Sequence, residues 1–371
     1  MNVDWEENGV VHAAMWRSEN GTPAPKRIVI ADDATTADAA YRLACEGTAL
    51  LWRGDFQNAR QLLQAMGRRA DQKKKKSDNT KSITETFHLH RQAQLQRART
   101  LGMLLIPVDA GHRIPLRRAP DVMQACREAY AHDDGAYVVS LRELQGLIGA
   151  HEWRKNGVRI PALSAEIQPH YGVFSPIRGE YLDLIAAAPL PSTERAFDIG
   201  TGTAVIAALL AKRGVKQVIA TELNSRALAC ARDNVARLGL EKTVHIQEAD
   251  LFPQGEAPLI VCNPPWVPGS ANSLLDQAIY DPENRMLLGF LNGLASHLSP
   301  DGEGWLILSD LAEHLGLRSR EFLLQAIHTA GLQVVERRDI RPRHGKASDA
   351  NDPLHAARAA EVTSLWRLAR A

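Results

Sequence analysis

The chain has 371 residues, too many for one average domain, with 44 Lys and Arg against 43 Asp and Glu for a formal net charge of +1. That length predicts two domains, and the balanced charge excludes a uniformly basic nucleic-acid binder. Cys45, Cys126, Cys230 and Cys262 are scattered without a C-x-x-C pair, which excludes a zinc ribbon, gives no metal site, and predicts a reducing, cytoplasmic setting. The start, Met1 to Glu7, is acidic and unlike a signal peptide. No apolar run approaches the ~20 residues of a membrane helix, so no membrane partner is expected.

In chain order, Ala34 to Glu46 reads as a helix and Ala49–Trp52 as a short strand. Phe56, Ala59, Leu62, Leu63 and Met66 then recur at helical spacing. Composition shifts next. Arg68 to Arg99 holds ten Lys or Arg against three acids, including the run Lys73-Lys74-Lys75-Lys76. Such a run does not bury itself and predicts a mobile loop, followed by a basic helix over His88 to Arg99. This segment reads either as a solvated surface or as a footprint for RNA or another acidic partner. Leu101 to Val108 and Tyr137 to Ser140 read as strands. Ala119 to Tyr130 and Leu141 to Trp153 read as helices, the second ended by Gly157. Residues 1–165 are expected to form a mixed accessory domain whose sequence names no chemistry.

From residue 166 to 371 the pattern alternates strand and helix. Ala196 to Ile199 is a buried strand leading into Gly200-Thr201-Gly202-Thr203-Ala204 and a small-residue helix to Arg213. Two glycines let a ligand approach the backbone closely, at the carboxyl end of a strand where open α/β sheets bind ligands. The dinucleotide fingerprint G-x-G-x-x-G fails, because its third glycine would fall on Val205. Glu222 ends the next apolar run, where an acid can accept both hydroxyls of a ribose. Asp250 ends a third run, where a carboxylate can accept an adenine amino proton. A fourth, Pro258 to Cys262, enters Asn263-Pro264-Pro265-Trp266. A helix over Asn284 to Leu298 and a turn at Pro300-Asp301-Gly302 come next. The fifth strand is Gly304 to Ser309, and a helix runs from Ser319 to Ala330. The sixth strand is Leu332 to Asp339, residues 341–358 are a polar connection without a clear helix, and the seventh strand is Glu361 to Leu368. The last pair is expected to be antiparallel.

A glycine turn, two strand-end acids and an N-P-P-W motif in this order resemble the class I S-adenosylmethionine (SAM) dependent methyltransferases of the N/D-P-P-Y/F/W subgroup. That group is similar to glutamine-N5 and rRNA guanine-N2 methyltransferases. The resemblance covers about Tyr171 to Ala371. It implies a Rossmann-like α/β fold with a seven-stranded, mostly parallel sheet. It also implies SAM as cofactor, held by Phe174, Asp198, Gly200, Thr201, Gly202, Glu222, Leu223, Asp250, Leu251 and Asn263. A helix over Arg178 to Ala187 would precede the core. Where the family usually has a third glycine this chain has Ala204.

Members of that subgroup methylate nitrogen on planar groups, such as a protein glutamine or a base amine. These nitrogens are poor nucleophiles because their lone pairs are delocalised. An acceptor oxygen on Asn263 and the Pro264 carbonyl can take both N–H bonds, orient the lone pair and stabilise the growing charge. Trp266 offers a flat face for stacking. Lys73, Lys74, Lys75, Lys76, Arg91, Arg97 and Arg99 are the candidate contacts if the substrate is RNA. An enzyme acting on a small metabolite and a non-catalytic relic of the fold are the competing readings.

Overall fold

The computed structural model describes residues 1–72, 81–130, 135–176, 179–343, 349 and 352–371. The chain forms two compact units, Met1–Thr80 with His88–Glu152, and Lys81–Phe87 with Trp153–Ala371. The break near residue 165 therefore falls earlier. Its cause is apolar packing: Val158, Ile160, Leu163 and Ile167 share a buried core with Tyr181 and Leu209 of the second unit.

The first unit comprises β1 (Asn2–Glu7), β2 (Val10–Arg17), β3 (Arg27–Ala31), α1 (Ala37–Cys45), β4 (Thr48–Trp52), α2 (Phe56–Gln72), most of α3 (Ile83–Leu101), β5 (Leu104–Val108), α4 (Met123–Ala129), β6 (Tyr137–Ser140) and most of α5 (Leu141–Asn156). Its six-stranded mixed sheet has the order β1-β2-β6-β5-β4-β3. The sequence pattern showed no strand before residue 49. Yet β1 and β2 are joined by Asn8-Gly9 at φ 53° and 75°, the two left-handed residues of a type I′ hairpin turn. α4 starts later than Ala119, at Met123, whose N–H is taken by the Asp121 carboxylate at 2.9 Å. Lys73 to Lys76 lie outside the described residues. Arg97 is bonded through two nitrogens to Asp71 at 2.9 and 3.2 Å, while Arg99 is exposed and Arg91 half-buried.

The second unit contains β7 (Val158–Ile160), β8 (Ala165–Ile167), α6 (Glu180–Ala187), β9 (Arg195–Ile199), α7 (Val205–Lys212), β10 (Gln217–Glu222), α8 (Ser225–Arg237), β11 (Val244–Glu248), β12 (Ala257–Cys262), β13 (Val267–Pro268), β14 (Tyr280–Asp281), α9 (Arg285–His297), β15 (Leu298–Ser309), α10 (Leu311–His314), α11 (Arg320–Thr329), β16 (Leu332–Ile340), α12 (His355–Ala360) and β17 (Thr363–Arg370). Seven strands form one sheet in the order β11-β10-β9-β12-β15-β17-β16. The first five are parallel, and β17 runs antiparallel to both neighbours. Small and branched residues suit α7, which packs on the sheet: Ala207, Ala208 and Leu210 are fully buried. Asn224 caps α8 by accepting from Arg226 and Ala227 N–H, and Ser319 caps α11 through Phe322 N–H.

Two expectations change here. Pro300 to Gly302 does not end a turn before a new strand. It lies inside β15 as an irregularity, where pairing jumps from Ala257↔Leu298 to Leu259↔Glu303 and Asp301 takes φ 60°. The final connection does hold a helix, α12, because Leu354 and Ala357 bury themselves against Val267 and Leu311. Its apolar content is too short to read as periodicity. Arg178 of the expected sixth helix lies outside the described residues, and that helix begins at Glu180.

Candidate active site

The register places the four polar devices along one edge. Ile199 pairs with Thr221 on one side and with Cys262 on the other. Gly200, Glu222 and Asn263 therefore leave three adjacent parallel strands at the same level. Glu222 in turn pairs with Glu248, so Asp250 emerges just past the fourth strand.

The glycine turn needs its composition. Gly200, Gly202 and Ala204 have φ of 70°, 57° and 62°. A Cβ on Gly200 would collide with the Met286 methyl, while nothing lies within 4 Å of where a Cβ on Gly202 would sit. Ala204 carries the left-handed strain that a third glycine would avoid, about 1 kcal/mol. Gly202 N–H donates to Glu222 Oε2 at 3.0 Å, and Leu223 and Asn224 N–H donate to Oε1 at 3.0 Å each. Glu222 is thus held by three backbone amides and keeps acceptor capacity for a ligand. Leu223 is 56% and Phe174 37% exposed, both large apolar groups turned to solvent.

Asp198 is fully buried under this turn. Its Oδ2 accepts from Thr201 Oγ1 at 2.6 Å and from Ala207 N–H at 3.0 Å, while its Oδ1 has no hydrogen-bond partner among the described residues. Burial raises its carboxyl to about 7; bonds from Thr201 and Ala207 oppose the rise, and the charge on Glu222 adds to it. A carboxyl raised in the fold binds more protons folded than unfolded, so stability falls as pH climbs from about 4 to about 7. Between pH 5 and 8, thermal unfolding of the wild type is expected to lose ground against Asp198→Asn. Parallel melting curves would refute this.

Asp250 is exposed and pairs with Arg285 Nη2 at 3.2 Å. Leu251 comes next at φ 69°, an uncommon conformation for a bulky residue. Its carbonyl is held by Thr221 Oγ1 at 2.5 Å and its side chain packs beside Phe290 in a buried cluster. The backbone strain therefore aims Asp250 outward.

At the motif, Trp266 Nε1–H donates to Asn263 Oδ1 at 2.8 Å. The indole edges into three buried clusters at once, so Trp266 holds the Asn263 amide from a fixed position. Pro264 is buried, and among the described residues no group donates to its carbonyl. Behind Trp266 lies a small core that the sequence did not reveal: Phe87, Val267, Leu311, Leu315, Leu354 and Ala357. Thr84 Oγ1–H donates to Leu315 O at 2.8 Å, so the start of α3 belongs to this wall.

Two other residues carry no signal in the sequence. Asn234, 1% exposed, accepts from Gln168 N–H at 2.8 Å and donates to the carbonyls of Gln168 and Thr203 at 3.2 Å each. It ties the segment before the core to the glycine turn. Arg318, 5% exposed, donates to the Trp266 carbonyl at 3.2 Å and to Asn284 Oδ1 at 2.9 Å. Desolvation lowers its pKa, with Glu313 and Asp281 pulling the other way.

The residues fit the expected cofactor. Among the described residues, open space lies over Gly202, a buried carboxyl oxygen below the turn is unpartnered, and an acceptor-rich acid stands at the next strand end. Residues 165–317 match the family described as "Methyltransferase small domain". A release factor glutamine methyltransferase of Deinococcus radiodurans is 31% identical over 215 residues, 54% of this chain and 71% of the relative. The chain belongs to the SAM-dependent methyltransferases. Over 93 residues this methyltransferase is also 40% identical to a tRNA1(Val) (adenine(37)-N6)-methyltransferase of Erwinia tasmaniensis, 23% of this chain and only 38% of that one. A solved methyltransferase structure from Pyrococcus furiosus aligns with a TM-score of 0.41 at 21% identity, covering 60% of this chain and 96% of that one. No described helix is long and apolar enough to cross a membrane.

Proposed function

We propose that this methyltransferase transfers a methyl group from SAM to a planar nitrogen, an amide or an exocyclic amine, on a macromolecule. One observation carries the reading. Asn263, fixed by the Trp266 indole at 2.8 Å, stands one strand from Gly200 in the paired register of β9 and β12. SAM supplies an electrophilic methyl on a sulfonium. Gly200, Thr201, Gly202, Glu222, Leu223 and Asp250 would hold it, with Asp198 and Leu251 shaping the turns beneath and Phe174 at the margin. Asn263 Oδ1 spends one lone pair on Trp266 and retains one for an acceptor N–H. The Pro264 carbonyl takes the second N–H, and two prolines of restricted φ hold both acceptors still. The acceptor nitrogen needs no strong base beforehand, because its acidity rises as its new bond forms.

The Deinococcus and Erwinia relatives act on a release factor glutamine and on a tRNA adenine, which supports a macromolecular substrate in a cytoplasmic setting. Incubating the protein with radiolabelled SAM and a cell lysate, then digesting with nuclease or protease, tests this. Label removed by either treatment supports the reading. Label confined to small molecules, or none, would sink it.

The first unit is the proposed recognition module, with RNA contacts through Lys73 to Lys76, Arg91, Arg97 and Arg99. Phosphate contacts release counterions, so RNA affinity should fall steeply with salt. Changing all four lysines to Ala is expected to flatten that dependence without altering SAM affinity. Identical salt slopes in wild type and variant would remove the lysine run from the substrate contact.

A further inference from the structure

We infer that Arg318 is a positioning residue that braces the acceptor-orienting motif against the wall of the cofactor site. This rests on the N-methyltransferase reading for the identity of the motif's task. The geometry is specific. One guanidinium nitrogen donates to the carbonyl of Trp266, whose indole fixes Asn263. The other donates to Asn284 Oδ1 at 2.9 Å. Asn284 comes directly after Glu283, and both hold left-handed backbone at φ 57° and 56° just before α9. Two consecutive non-glycine residues in that region store strain that the surroundings must hold. Asp281, 3% exposed, holds one side by accepting from Met286 and Leu287 N–H at 3.0 Å each. Arg318 holds the other.

The residues just beyond the strained turn face the cofactor side. Arg285 pairs with Asp250, and the Met286 methyl lies against Gly200. A single buried side chain therefore spans from the residue that fixes Asn263 to the turn that sets Arg285 and Met286. Two partners at fixed separation explain why arginine serves: its planar fork reaches both, whereas a lysine's single ammonium on a flexible stem does not. Because Asn263 must sit within a fraction of an ångström of its working position, a loosened brace slows transfer before it weakens cofactor binding.

The test uses the full chain with Arg318→Lys and Asn284→Gly. The second removes the partner oxygen while relieving the left-handed strain, so it keeps the fold. Methyl transfer is measured to whichever lysate fraction the wild type labels, deproteinised RNA or protein, and SAM affinity by calorimetry. Each variant is expected to lose about ten- to a hundredfold in kcat, with SAM affinity held within about threefold. The double variant should be little worse than Arg318→Lys alone. In parallel, amide exchange at Val267 and Gly269, which bond to Ile279 and Asp281 carbonyls, should speed up in both variants. Unchanged transfer and exchange would overturn the role, as would a proportional fall of transfer, SAM affinity and melting temperature together. Should the wild type label neither fraction, the N-methyltransferase reading fails, and the exchange comparison alone decides whether Arg318 braces the motif.

Discussion

Replacing Asn263 by Ala is expected to lower methyl transfer by about 10²–10³, the usual cost of losing one preorganised partner of the developing charge. The loss should fall on kcat. SAM affinity should change little, because Glu222, Asp250 and the glycine turn are untouched. The structure adds a second consequence. Asn263 Oδ1 accepts the Trp266 indole N–H at 2.8 Å, and Trp266 is half-buried. The alanine variant leaves that donor without its partner, a cost of about 1–3 kcal/mol in stability. Trp266→Phe separates the two effects. It keeps an aromatic face and removes the N–H, so Asn263 survives but swings free. Its transfer rate should lie between wild type and Asn263→Ala. Steady-state kinetics with varied SAM settle the matter: equal falls in SAM affinity and turnover would make Asn263 a cofactor ligand instead.

The placement of the candidate site's residues was legible because its parts repeat one arrangement. Each device comes at the end of an apolar run of strand length, and parallel strands bring their carboxyl ends to one edge. Glu222 lies 24 residues beyond Asp198 in sequence, and pairing brings the two strand ends side by side. The hidden parts depend on contacts between distant positions. Arg318 meets the Trp266 carbonyl across 52 residues, and Asn234 meets Gln168 across 66. Neither carries a local pattern, since a polar residue beside or within a helix reads as solvated surface. In the wall of Phe87, Leu311 and Leu354, the last two come from segments too short for periodicity to register. The β1–β2 hairpin is a different kind of miss. Asn8-Gly9 is a strong local turn signal, but the flanking Asn-Val-Asp-Trp-Glu-Glu is too polar to read as strand. Both strands are also largely exposed.

Glu222 governs the second large effect, on binding instead of turnover. Its carboxylate already accepts three backbone N–H bonds, from Gly202, Leu223 and Asn224, each at 3.0 Å. Ribose hydroxyls add to this set or displace the Gly202 bond, so the net gain is smaller than a full bond count implies. Bonds to a charged acceptor contribute about 1.5–3 kcal/mol each, and about 1.4 kcal/mol is a factor of ten. Glu222→Ala should therefore weaken SAM about ten- to a hundredfold, and it should also loosen the glycine turn by freeing the Gly202 amide. Glu222→Gln makes the finer distinction. Its carbonyl oxygen can still accept the Leu223 and Asn224 N–H groups, so the strand end keeps its shape. Its NH₂ cannot accept from Gly202 or from a hydroxyl proton. If binding depends on the acid as a ribose acceptor, Gln should lose nearly as much affinity as Ala while keeping the strand-end bonds to Leu223 and Asn224. If Glu222 matters only through its strand-end bonds to the Leu223 and Asn224 amides, Gln should bind SAM almost normally and Ala alone should fail. Calorimetry on the two folded variants decides, and unchanged affinity in both would remove Glu222 from the cofactor site altogether.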